Sequence, residues 1–184
     1  MKFALNRTVV LGCAIGVCIL CAAFLTLVPR IAFAQGLDRA SIIENTNADR
    51  VMSGVGTLSE DPLLSVAAQK KANDMAARGY FSHVDPNGRL PWYWMSRVGY
   101  WYLKAGENLA MNFTDAAALE AAWMSSPTHR ANIVKAPYTR IGIGIASGTY
   151  QGRTTTFVVQ FFATPAPQKK SITKKAPATV ALAK

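Results

Sequence analysis

Two histidines, His83 and His129, are the only imidazoles in the 184-residue chain, and between them lies a carboxylate, Glu107, in the segment Gly106-Glu107-Asn108. Two imidazoles and an acid can hold a divalent cation such as zinc, with His83 and His129 as ligands, or share a proton near neutral pH, where histidine titrates. Both histidines sit beside turn residues, in the loops where sites concentrate on a rigid scaffold. Spacing along the chain does not by itself bring the three together. Taken alone, a histidine in such a place is more commonly a hydrogen-bonded structural residue, and a lone glutamate a solvated one. No nucleophile elbow and no HExxH motif is present, so a hydrolase built here would have to activate water with these groups.

The elements that would position them are legible in the spacing of apolar residues. Leu37 to Val51 reads as a helix ended by Gly54 and Gly56, with Ala40, Ile43 and Asn47 at helical spacing. A second helix starts at the cap Asp61 with Pro62 in its first turn. Leu64, Ala68, Lys71 or Ala72, and Met75 repeat along one face before Gly79. A loop from Tyr80 to Pro91 carries His83, and a short helix from Trp92 to Val98 follows it. A third long helix is expected from a cap at Thr114, through Leu119 and Trp123, to Ser126, because Pro127 disfavours its continuation. Leu109 to Met111 reads as a short strand. Ile141, Ile143 and Ile145 alternate with Gly142, Gly144 and Ala146, and Thr154 to Phe162 is rich in β-branched and aromatic residues, so these two runs read as a hairpin turning near Gly148 and Gly152. The glycines on one face of the hairpin would admit a helix or loop at close range. Helices first and a hairpin last argue for an α+β layer fold.

The ends differ from the middle. Lys2 and Arg7, an apolar run from Val9 to Val28, and Ala32-Phe33-Ala34 before Gln35 have the order of a secretory signal, so residues 1–34 are expected to be a signal peptide cleaved after Ala34 or, failing cleavage, an N-terminal membrane anchor. All three cysteines, Cys13, Cys18 and Cys21, lie in that segment, which leaves the remainder without a disulfide or thiol nucleophile. The formal charge of the whole chain is +10. Removing the three basic residues before Gln35 and the five lysines after Thr164 leaves twelve basic against ten acidic, so the domain is nearly neutral and nucleic-acid binding loses its support. Residues 165–184, rich in Pro, Ala and Lys, are expected to be a disordered tail suited to loose adhesion to anionic envelope polymers. Trp92, Tyr93, Trp94, Tyr100, Trp101 and Tyr102 crowd eleven positions; Tyr100 and one tryptophan are expected inside, with the others available as a ridge for sugar rings or lipid.

Asn47-x-x-Arg50, Phe81-Ser82-His83, Gly106-Glu107-Asn108-Leu109-Ala110, Trp123-Met124-x-Ser126-Pro127-x-His129-Arg130-x-Asn132-Ile133 and Ile141-Gly142-Ile143-Gly144 come in an order and spacing that resembles bacterial CAP, or SCP-like, domains over residues 37–164. The resemblance implies an α-β-α sandwich, with helices on both faces of a small antiparallel sheet. It also implies a cleft of two histidines and two acids that binds a divalent metal in some members. His83, Glu107 and His129 match three of those four positions. The fourth, a glutamate in eukaryotic relatives, is Ser126 here, and Glu120, one turn before Trp123, is the residue that could replace it. Three functions follow from this reading. The first is a secreted or envelope-associated module that binds a lipid, glycan or cell-wall component. The second is a hydrolase using His83, Glu107 and His129 with or without metal, and the third is a structural envelope protein.

Overall fold

The computed structural model describes residues 36–167. The expected signal or anchor, and all of the tail beyond Pro167, lie outside them. Among the described residues no helix is long and apolar enough to cross a membrane.

Three helices begin at the caps their sequences demand. Helix α1, Arg39–Met52, starts at Asp38, whose carboxylate accepts from Ser41 N. Helix α2, Pro62–Arg78, starts at Asp61, which accepts from Leu63 N and Leu64 N, and ends at Gly79 in the left-handed conformation at φ +62°. Helix α3 is the short Trp92–Ser96. Helix α4, Ala116–Ser125, is capped by Asp115, one residue after the expected Thr114, because the aspartate side chain reaches Ala118 N. The chain then restarts at Pro127 as helix α5, Pro127–Ile133. The proline that ends one helix supplies the first turn of the next.

The sheet has four strands in the order β1-β3-β4-β2. Strands β2 (Tyr102–Met111), β3 (Arg140–Tyr150) and β4 (Arg153–Pro165) are antiparallel neighbours, whereas the two-residue β1, Ser59–Glu60, joins β3 in parallel and makes the sheet mixed rather than purely antiparallel. The hairpin turns at Gln151-Gly152, and Gly148 lies within β3 instead of in the turn. Strand β2 is also much longer than the segment Leu109–Met111 that periodicity picks out. It pairs with β4 from Tyr102 onward and so carries Glu107 inside the sheet.

Strand alternation divides two apolar layers. Leu109, Phe157, Val159, Phe161 and Ala163 face α2 and α3, with Leu64, Ala68, Ala72 and Met75. Ala110, Ile141, Ile143, Val158 and Phe162 face α1, α4 and α5, with Ile42, Leu119, Trp123 and Ile133. The fold is thus α+β, with helices on both faces of the sheet.

Helix α2 lies directly on the glycine face of β3. A Cβ placed on Gly142 or Gly144 would collide with the backbone of Leu64 and Ser65 or of Ala68 and Gln69, and one on Gly148 would stand 2.5 Å from the carbonyl oxygen of Ala76. Gln69 closes the contact with polar bonds, donating to Ile145 O at 2.6 Å and accepting from Ile145 N at 3.1 Å. Gly144→Ala is expected to lower stability by about 3 kcal/mol, because the backbone of a helix cannot yield as a side chain can. Gly56→Ala, where a Cβ meets nothing, should leave the urea midpoint nearly unchanged.

Candidate functional site

Alternation places Glu107 on the α2 face of β2, where its side chain is 2% exposed. Its two oxygens have different partners. Oε2 forms an ion pair with Lys71 Nζ at 2.6 Å, and Oε1 lies 2.5 Å from His83 Nδ1. Lys71, on α2, is itself fully buried and also donates to the backbone carbonyl of His83 at 2.7 Å. One ammonium therefore fixes the backbone of His83 and, through Glu107, its ring. Burial lowers the pKa of Lys71, and the nearby charges of Glu107, Asp85 and Asp74 oppose that shift. The His83 ring remains 58% exposed. With Nδ1 held by the carboxylate, its Nε2 is the nitrogen left for solvent or a ligand.

The loop carrying His83 is fixed at its other end by buried Asp85. That carboxylate accepts from Asn87 N at 2.8 Å and Arg89 N at 3.0 Å, and it pairs with the Arg89 side chain.

His129 enters from the opposite layer. It lies on α5, which the side chains of the motif hold against β2. Asn108 donates to the carbonyl of His129 at 3.2 Å, and Asn132 donates to the carbonyl of Glu107 at 3.1 Å and to Asn108 Oδ1 at 2.9 Å. The His129 pKa is lowered, by burial first and by the charge of His83 second. The structure thus joins His83 and Glu107 directly and, through Asn108, ties the backbone of His129 to the same stretch of β2, with no hydrogen bond from the His129 ring to either among the described residues.

Glu120 does not belong to this group. It is buried on the other face of the sheet, accepting from Thr46 Oγ1 at 3.0 Å, and Thr46 in turn accepts from Gln160 Nε2 at 2.9 Å. The turn of α4 that carries Glu120 faces α1 rather than β2, which is why it cannot take the place that Ser126 leaves. Burial raises the Glu120 pKa to about 8, the Thr46 bond opposes that rise, and Asp49 adds to it.

The donor set does not fit a metal. Among the described residues no three His, Cys, Asp or Glu side chains are grouped to hold one. Glu107 already has an ammonium against one oxygen, and a divalent cation there would meet that charge at close range.

Lys71 is the residue that spacing left unassigned. Its signal was a charge on the otherwise apolar stripe of Leu64, Ala68, Ala72 and Met75, since a lysine is rarely fully buried unless paired. Arg50 of the Asn47-x-x-Arg50 motif is fully buried too, and serves the scaffold. It donates to the carbonyls of Gly56, Ile133, Lys135 and Tyr138 and so ties α1 to the end of α5.

These motifs, on helices that sandwich a four-stranded sheet, define an α+β domain, and known proteins share it. The chain belongs to the CAP, or cysteine-rich secretory protein, family, whose model matches residues 43–162. The Bacillus subtilis protein YkwD is 38% identical over 109 residues, which are 59% of this chain and 42% of that protein. The Bacillus subtilis membrane protein YlbC is 30% identical over 111 residues, 60% of this chain and 32% of that one. A crystal structure of an extracellular SCP-domain protein from Bacillus anthracis superposes with a TM-score of 0.56 at 29% identity, covering 67% of this chain and 39% of that one. The chain therefore matches less than half the length of each of these relatives, all of them bacterial.

Two outcomes test these assignments. Lys71→Met should destabilise the fold by about 3–5 kcal/mol by leaving a buried carboxylate unpaired, and adding Glu107→Gln should recover a measurable part of it in a double-mutant cycle of urea unfolding. The second concerns pH. The folded pKa of Glu120 is raised from 4.5 to about 8, so the folded state holds the proton more tightly, and stability is full below about 4.5 and lost as pH rises toward 8. His129, with its pKa lowered, acts in the opposite sense around its ordinary value of 6.5. The difference between wild type and Glu120→Gln, followed by unfolding at pH 5 and pH 8.5, should isolate the Glu120 contribution as a loss with pH that the variant lacks.

Proposed function

We propose that this protein is an exported, envelope-associated CAP-domain protein that binds a lipid, glycan or cell-wall component through His83 and His129. The observation that carries the reading is the saturation of Glu107. With its charge met by Lys71, the carboxylate serves to hold the His83 ring, and the group offered outward is an imidazole nitrogen on a fixed loop. His129, whose backbone Asn108 holds to the same strand, adds a second hydrogen-bonding ring. Such a pair suits hydroxyl, amide or phosphate groups better than a bare cation. The extracellular and membrane proteins among its relatives support placement at the envelope.

A hydrolase is the second reading, favoured by one feature. A histidine whose Nδ1 is held by a buried carboxylate presents Nε2 as a general base for water. Removing Glu107 would unpair Lys71, so the informative substitution is at exposed His83.

The test is binding of the protein to purified wall fragments and envelope glycolipids, measured as isotherms, with hydrolysis products followed in the same samples. His83→Ala should weaken binding at least about tenfold, the loss of one charge-assisted or well-formed hydrogen bond being worth that much, and it should also lower the melting temperature by removing a partner of buried Glu107, so affinities are compared at a temperature where both proteins are folded. Unchanged affinity in both His83→Ala and His129→Ala would remove the binding reading. Turnover that disappears in His83→Ala with binding retained would favour the hydrolase.

A further inference from the structure

A second surface, using neither His83 nor Glu107, carries a different chemistry. Lys70, Arg89 and Arg97 line one hollow of about 450 Å³ together with Tyr93, Trp94 and Asp74. Asp74 is the acid in that wall, and its Oδ2 is engaged by the Tyr80 hydroxyl at 2.8 Å and by Arg78 at 3.4 Å. Arg89 is paired with Asp85 and stacks over Tyr93, 4.2 Å from its ring centre. Lys70 and Arg97 have no carboxylate partner among the described residues. Trp94, 8% exposed, has a buried indole Nε1 without an acceptor there. The hollow thus holds two cations without a carboxylate partner, which is a set for an anion.

Arg89 and Tyr93 are shared with an adjoining groove of about 690 Å³, walled mainly by Leu90, Trp92, Trp101 and Tyr102. Here the apolar side chains face outward: Trp101 is 71% exposed, its near neighbour Leu103 66% and Leu90 54%. Leu90 and Trp101 wall this groove and Leu103 follows Trp101 by two residues, more large exposed apolar side chains than scattered surface residues require. A cationic hollow beside an exposed tryptophan and leucines has the composition of an interfacial surface.

We propose that this face docks on an anionic bilayer, with the phosphate of a lipid headgroup in the Lys70–Arg97 hollow and Trp101, Leu90 and Leu103 in the acyl boundary. A free phosphate could satisfy the cations but would leave the apolar residues in water. A neutral glycan could stack on Trp101 but would leave Lys70 and Arg97 without a counter-charge. Only a phosphate on an apolar carrier answers both observations.

The experiment uses the full chain reconstituted in vesicles whose acyl chains carry bromine, either phosphatidylglycerol or phosphatidylcholine. The share of tryptophan quenching that vanishes in Trp101→Phe reports contact of residue 101 with acyl chains, and any tethering by other segments is the same in every variant. Quenching at Trp101 should be strong in phosphatidylglycerol, weak in phosphatidylcholine and reduced by salt. The docking equilibrium should fall about fivefold for each of Lys70→Gln and Arg97→Gln, as expected for a cation near an anionic surface. Gly56→Ala, a position on neither surface where an added Cβ meets nothing, should dock like wild type. Equal quenching in the two lipids, or a Lys70→Gln/Arg97→Gln variant that docks like wild type, would overturn the proposal. So would protection of Trp101 fluorescence by soluble wall oligosaccharides without any quenching by brominated lipid.

Discussion

Because Gly142, Gly144 and Gly148 have no side chains, α2 rests on β3 backbone to backbone, and that depth of seating decides what the rest of the helix can touch. Strands lie about 4.8 Å apart, so β2 is about 10 Å from β3 across β4, and Lys71 must reach over β4 to meet Glu107. A helix held off by ordinary side chains would stand nearer the usual 10 Å from the sheet and leave a buried carboxylate on β2 without its counter-charge. The small residues of β3 and the charged residue of α2 are therefore one device, and the ring of His83 is its output.

The other layer is organised by polar groups as well. Arg50 satisfies four carbonyls, and a buried line runs from Glu120 through Thr46 and Gln160 to Asn108 and Asn132. Groups of this kind cost stability unless each finds a partner, and here the partners belong to α1, α4, α5, β2 and β4, with Glu120 Oε1 left without one among the described residues. Their effect is to specify where α5 sits along β2. Asn108 and Asn132 bind the backbone of His129 and Glu107, so the two histidines, set by separate layers, are referred to the same short stretch of the edge strand. Close contact continues at Gly106, where an added Cβ would stand 2.5 Å from the Tyr138 hydroxyl.

How much of this could be read beforehand depended on whether the signal was local. Caps at Asp61 and Gly79, the proline break after Ser126 and the alternating hairpin follow from short-range rules, and the structure has them. The division of aromatics was legible in part: Trp94 and Tyr100 are buried and Trp101 is exposed, but Trp92, Tyr93 and Tyr102 pack half-buried against the core instead of standing out as a ridge. Strand β2 was read short because Lys104, Gly106, Glu107 and Asn108 give no apolar alternation, and their burial comes from partners far along the chain. The parallel edge strand β1 was missed for a like reason. Asn47 brackets Leu58 with two bonds, to its carbonyl and from its amide, and so delivers the chain to β3. Glu120 was assigned to the site by helical spacing, but spacing fixes only a face of α4, and the neighbour on that face is α1.

The same contrast bears on how a ligand would be met at His83. Exposed loops usually lose conformational freedom on binding, which subtracts from affinity. The loop here is already fixed, by Lys71 at the carbonyl of His83, by Glu107 at the ring and by three bonds into Asp85. Its ring is exposed without being free to reorient, since turning it away would strand a carboxylate that has 2% exposure. The ordering has been supplied by folding, through two charges held out of water against each other. A weak hydrogen bond from Nε2 to a wall or lipid group can then contribute most of its strength to binding, which is the advantage this arrangement has over a mobile surface histidine.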